Sequence, residues 1–192
     1  MSVPTLHLAS SSPRRKEILA TLGLTFTSGG VDVDESRLDG ESAEQMVVRL
    51  AEAKARAIEI GESAIVLGAD TAVVLGEKVF GKPESREDAL ETLAQLSANT
   101  HRVLTGVALY SAQGVRTALS STDVRFREIS PDEALAYWQS GEPCDKAGAY
   151  AIQGFGGVFV AAISGSYSGV VGLPVFETAR MLRDAGLRVL ND

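Results

Sequence analysis

Helix-type and strand-type segments alternate along this sequence, which predicts an α/β or α+β protein rather than an all-α or all-β one. Two adjacent long runs, 101–111 and 115–128, alternate in hydrophobicity and predict an antiparallel pair, so the sheet is expected to be mixed. The 192 residues are 45% apolar and 22% charged. At roughly 150 residues per domain, that is one domain able to bury a core without disulfides.

Each element has a local reason. Residues 5–9 (TLHLA) read as a short strand. A helix follows, with Ser12 as N-cap, Pro13 at its first position and Gly23 at its end. Residues 24–28 are expected to form a second strand, and VDVDESRLDGE a polar connection. Ser42 and Gln45 form a capping box that opens a long helix, expected to reach Ile60 and stop at Gly61. Residues 64–75 (AIVLGADTAVVL) read as one or two buried strands. Ser85 and Asp88 cap a helix to Leu96, and Gln113-Gly114 is the turn between the two long strands. Ser130-Pro131 starts a helix to Ser140, residues 157–163 read as a strand, and 173–186 as a last helix.

Charge and cysteine content narrow the function classes. Eighteen bases against 25 acids give a net charge of −7, which argues against nucleic acid or an anionic membrane as partner. Cys144 is alone, so there is no intrachain disulfide and no CxxC zinc pair. The N-terminal apolar stretch is too short for a signal peptide and no run approaches ~18 apolar residues. A cytoplasmic protein is the expectation. The Ser-rich stretches lack GxSxG, and GxxxxGK[ST] is absent.

Several polar residues sit where chemistry could use them. SSSPRR at 10–15 puts hydroxyls and two arginines at a helix start, where unpaired N–H groups attract anions; an ordinary capped helix has the same composition. Asp70 interrupts an apolar run, which is costly unless the carboxylate is paired, binds a metal or serves as a base; a turn-capping Asp is the alternative. Lys54 follows Val47 and Leu50 at helical spacing, so it lies on the face to be buried, as a site residue or a snorkelling one. Lys82 in FGKP and Lys146 in DKAGAY sit on stiff loops. Asp32, Asp34 and Glu35 could hold Mg²⁺ with substrate phosphates, or simply be solvated. Residues 146–176 contain no acid and many glycines, and Gln153 there could read a base edge through its paired donor and acceptor. His7 and His101 show no ligand spacing and are read as structural.

Eight segments in order, LASSSPRRKEIL, VDVDES, LAEAKA, LGADTAVVL, GKP, LSANTHRVLTGVAL, DKAGAYAIQGFGG and GSYSGVVGLP, resemble the Maf family over roughly residues 5–186. The resemblance implies a two-lobed α/β fold around an elongated mixed sheet, with the site in the cleft. It implies a cytoplasmic, metal-dependent, often dimeric nucleoside-triphosphate pyrophosphatase that releases a monophosphate and pyrophosphate. On the family's motifs, Asp70 matches the proton acceptor, and Glu35, Lys54 and Lys82 match polar active-site positions. Ser10, Arg14 and Arg15 fall in the S-x-S-P-R-R loop, and Arg14, Thr71 and Gln153 match positions linked to base selectivity. In VDVDES either Asp34 or Glu35 could take the acidic role, with Glu35 favoured. GADT with AGAYAIQG resembles the branch acting on dTTP and UTP, with a house-cleaning role that extends to modified pyrimidine nucleotides. Mg²⁺ or Mn²⁺ would be held by Glu35 and Asp70. Two other functions fit the resemblance less well: a nucleotide-binding regulator of septum formation without essential catalysis, and a purine (ITP/XTP) pyrophosphatase. On the favoured reading the acidic balance is a solvated exterior around locally placed bases.

Overall fold

The structure is a computed structural model and describes residues 4–59, 61 and 63–189. Its strands form one seven-stranded sheet. The first three strands are β1 (Thr5–Ala9), β2 (Phe26–Gly29) and β3 (Ala64–Leu75). The next four are β4 (Lys78–Phe80), β5 (Thr100–Ser111), β6 (Gly114–Phe126) and β7 (Val160–Ser164). The order is β2-β1-β3-β5-β6-β7, and β4 pairs with β3 off that path. β1 is parallel to β2 and to β3, whereas β4 on β3 and β7 on β6 are antiparallel. β5 and β6 are neighbours joined by a two-residue turn, which only antiparallel strands permit. The sheet is therefore mixed, as expected.

The described residues divide into two compact units. One contains the chain up to Asp70, Thr105–Ser120 and the residues from Gly172 on; the other contains Thr71–Leu104 and Ser121–Val171.

In the first unit the parallel strands need helical crossovers, and the sequence supplies them. Helix α1 (Pro13–Ala20) starts on the expected Ser12 cap with proline in its first turn. Helix α2 (Ala43–Arg56) carries the complete Ser42/Gln45 box, with Ser42 Oγ accepting from Gln45 N at 3.2 Å and Gln45 Oε1 from Ser42 N at 2.9 Å. The helix ends at Arg56, earlier than expected. Ile60 lies outside the described residues, and Ile58 packs against the cluster of Ala9, Ala51, Ala55, Val66 and Ala108.

Gly68 and Gly106 explain how α2 packs. A Cβ on Gly106 would overlap the Val47 carbonyl, and one on Gly68 would overlap that of Ala51. The helix backbone thus lies directly against β3 and β5. The last helix of the described chain (Val175–Asp184) joins the leucine-rich core of Leu8, Leu19, Leu67 and Leu182. Burying each such leucine contributes about 1.5–3 kcal/mol.

The second unit contains α3 (Arg86–Leu96), capped by Ser85, and α4 (Pro131–Gln139), with a complete Ser130/Glu133 box. Its core is aromatic. His101, Phe126 and Tyr150 meet edge to face, and Tyr137 packs on Phe159. The strand expected at 157–163 begins only at Val160, because Phe155–Phe159 turns as a 3₁₀ helix. A five-residue helix, Tyr167–Val171, precedes Gly172 and was not expected.

Candidate active site

Asp70 stands in β3 after five buried residues and is itself 9% exposed. α2, pressed onto the sheet by its glycine contacts, brings Lys54 to it. Lys54 Nζ donates to Asp70 Oδ1 at 2.7 Å and pairs with Glu35 Oε1 at 2.6 Å. Three expected residues from a strand, a helix and a loop therefore meet at one ammonium. Lys54 is 9% exposed, so it belongs to this cluster and does not snorkel to water.

The same contacts separate Asp34 from Glu35. Asp34 Oδ1 accepts from Ser36 N at 2.9 Å, and bonds from Ser36 hold its carboxyl below the usual range. Asp34 thus shapes the loop while Glu35 reaches Lys54. Burial pushes the Asp70 carboxyl above its ordinary value, opposed by Lys54 and Arg15 and reinforced by Glu35. A buried carboxyl raised in this way, and hydrogen-bonded to an ammonium, suits a proton acceptor. The pairing is weak evidence for stability, since desolvating both charges offsets their attraction.

Arg15 is half-buried. Its Nε donates to the Gly172 carbonyl at 2.9 Å, which fixes the guanidinium plane. Burial lowers its pKa, with the field of Asp70 opposing. Arg14 adjoins it in the first turn of α1. Ser10 is buried, and its Oγ accepts from Ser12 N at 3.1 Å, leaving the hydroxyl proton to donate.

The other expected residues belong to the second unit. Thr71 follows Asp70 in β3 and so projects from the opposite strand face. Lys82 is exposed in its loop, which is pinned where Gly148 N donates to Gly81 O at 3.0 Å. Gly148 has φ +69°, and a Cβ there would stand 2.9 Å from Val73. Gln153 is exposed in a turn. His101 is structural, as expected: its Nε2 bonds the Tyr150 hydroxyl at 2.9 Å, and burial lowers its pKa to about 4. His7 bonds Thr27 Oγ1 at 2.8 Å.

The family model described as Maf-like protein matches residues 5–185. The chain belongs to the Maf family. Within the family, it is 53% identical to a dTTP/UTP pyrophosphatase of Methylococcus capsulatus, over 95% of this chain and 91% of that protein. It is 47% identical to a dTTP/UTP pyrophosphatase of Hahella chejuensis, over 97% of this chain and 95% of that protein. Among solved structures, the Staphylococcus aureus Ham1 protein aligns over 66% of this chain and 72% of that chain, with 17% identity and a TM-score of 0.45.

The metal implied for a Maf protein can be tested against the donor set. Glu35 and Asp70 each place a carboxylate oxygen on the Lys54 ammonium, and the donor set holds no thiolate or imidazole. That fits Mg²⁺ or Mn²⁺, which take one or two carboxylates and complete their shell with water and phosphate. Among the described residues no group of three or more His, Cys, Asp and Glu side chains forms a metal cluster. No described helix is long and apolar enough to cross a membrane.

Of three supporting residues, Arg49 and Glu142 carried no sequence signal, and Gly172 lay in the GSYSGVVGLP segment with nothing to announce its partner. Arg49 binds Glu41 through Nε at 2.6 Å and Nη2 at 2.8 Å, and reaches the Ser36 carbonyl at 3.0 Å. It ties the loop bearing Glu35 to the helix bearing Lys54, and its bond pulls the Glu41 carboxyl to about 2. The Gly172 carbonyl that orients Arg15 lies 157 residues away in sequence. Glu142 accepts backbone amides from the loop of Gln153.

Proposed function

We propose that this Maf protein is a nucleoside-triphosphate pyrophosphatase acting on dTTP and UTP, including modified pyrimidine nucleotides, in a house-cleaning role. The observation that carries it is the buried Asp70 carboxylate held against Lys54 beside Glu35. The substrate class is supported by the names of relatives that match nearly the whole chain.

In this reading water attacks the α-phosphorus, the bond from that phosphorus to the α,β-bridging oxygen breaks, and pyrophosphate leaves. Asp70 accepts the proton of the attacking water. Lys54, Arg14 and Arg15 neutralise charge that spreads over the phosphate oxygens, and the Ser10 hydroxyl donates to one of them. A bound Mg²⁺ or Mn²⁺, held by Glu35 and Asp70, would supply charge neutralisation and Lewis acidity at the phosphates. The same proposal puts Lys82 on the triphosphate, and Thr71 and Gln153, with Arg14, on the base, a reading supported by the resemblance of their motifs to those of the family. A homodimer and a cytoplasmic location belong to the same proposal.

The test is pyrophosphate release from dTTP, UTP, CTP, GTP and ITP with Mg²⁺ or Mn²⁺. The expected outcome is preference for dTTP and UTP. Preference for ITP would replace the reading with a purine enzyme, and binding without release would replace it with a regulator. Asp70→Asn should lower turnover by about 10²–10⁴-fold while the protein stays folded. Near-wild-type release by that variant would remove Asp70 from its role.

A further inference from the structure

The segment 151–157 (AIQGFGG) carries Gln153 at an exposed turn. Gly154 N donates to the Ala151 carbonyl at 3.2 Å and closes the turn, and one carboxylate and one phenol anchor that turn to the rest of the unit. Glu142 Oε1 accepts from the Tyr137 hydroxyl at 2.6 Å and from Gly156 N at 3.0 Å, and Glu142 Oε2 accepts from Phe155 N at 2.9 Å. The Tyr137 oxygen in turn accepts from Ala151 N at 3.0 Å. Ala151 is thus fastened on one side of Gln153, and Phe155 and Gly156 on the other.

Glycines make the fit possible. A Cβ on Gly154 would overlap the Glu142 carboxylate, and one on Gly156 would stand 2.6 Å from the Tyr137 hydroxyl. Partial burial opposes ionisation of Glu142, but the bonds from Tyr137, Gly156 and Phe155 outweigh it and hold the carboxyl below its usual range. Burial, with the Glu142 bond added, pushes the Tyr137 phenol far up, so it remains a donor.

We propose that Glu142, seated by Tyr137, is the positioning residue that holds Gln153 in one orientation and thereby sets selectivity for uracil-type bases. This rests on the pyrimidine reading above. An amide presents one donor and one acceptor, which matches a uracil edge with its N3–H and carbonyl oxygens. Cytosine lacks that N3–H. The match discriminates only if the amide is already oriented, because ordering a loose loop on binding costs affinity. A fixed loop leaves a mismatched partner with an unpaired group, which is how a hydrogen-bonding site rejects an analogue.

Binding of non-cleavable α,β-imido-dUTP and α,β-imido-dCTP tests this without cleavage. Glu142→Gln keeps the side-chain shape but replaces an amide acceptor with a donor. It should weaken dUTP-analogue binding by about tenfold and narrow the dUTP/dCTP ratio, while kcat on UTP stays within about twofold. Tyr137→Phe, which keeps the ring packing, should act in the same direction and less. In a Gln153→Ala background, Glu142→Gln should leave the ratio unchanged. An unaltered ratio in Glu142→Gln and Tyr137→Phe, or an equal change with Gln153 already removed, would overturn the proposal. Wild-type binding that does not distinguish the two analogues would also overturn it. Wild-type binding that discriminates but yields no pyrophosphate from UTP would overturn the pyrophosphatase reading alone.

Discussion

At the scale of the residue, Lys54 and Asp70 form one electrostatic unit. Lys54 and Arg15 favour the ionised form of Asp70, while burial and Glu35 disfavour it, and burial is the largest effect. The signs for two variants follow. Lys54→Met removes a stabilising charge and a donor, so the Asp70 pKa should rise further. Glu35→Gln removes a like charge, so it should fall. A ¹³C titration of the Asp70 carboxyl in metal-free protein reads both; no movement in either variant would show that burial alone governs the site, and movement in the same direction would overturn the opposite roles of Lys54 and Glu35. Lys54 and Asp70 were legible in the sequence because each puts a charge where periodicity demands an apolar residue. Between Asp34 and Glu35 the sequence offered only a preference for Glu35, because a loop has no period, and the Ser36 and Lys54 contacts are what tell them apart. Glu142 was invisible for a different reason: two of its partners are backbone amides 13 and 14 residues downstream, which no side chain announces.

At the scale of the element, the site depends on how closely α2 lies on the sheet. Gly106 and Gly68 permit the approach, and Lys54 is carried to Asp70 by it. Gly106→Ala forces a methyl group against the Val47 backbone, which cannot rotate away as a side chain could. It should cost about 1–3 kcal/mol in chemical denaturation and lower turnover as well, since α2 must shift. An unchanged denaturation midpoint would mean that the helix accommodates the methyl without moving. The helices themselves were readable from their caps: Ser12, Ser42, Ser85 and Ser130 all open helices where expected. What escaped was too short to carry a period, namely β4 with three residues and the helix at Tyr167–Val171 with five. The contacts that make Gly68 and Gly106 necessary join distant segments and leave no local trace.

At the scale of the whole molecule, a net charge of −7 and a pI of about 4.9 mean that acidification toward pH 5 reduces self-repulsion. Global charge therefore predicts no loss of stability between pH 6.5 and 5. His101 predicts one. It is 1% exposed, sits edge-on to Phe126 and Tyr150, and has its pKa lowered by burial to about 4 from 6.5. The unfolded chain binds the His101 proton through the window from 6.5 to 4, and the folded chain does not. Stability from this group is complete above pH 6.5 and is lost as pH falls through 4. Lowering the His101 pKa from 6.5 to about 4 corresponds to roughly 3 kcal/mol. Asp70 acts with the opposite sign, because its raised pKa favours the folded state as it protonates, so the two must be separated by mutation. Denaturation at pH 7.5 and pH 4.5 should show a smaller difference for His101→Gln than for the wild type. The same difference in both proteins would place the acid sensitivity elsewhere. A loss that is smaller in His101→Gln, while net charge approaches zero in both proteins, would trace that share of the acid sensitivity to one buried imidazole.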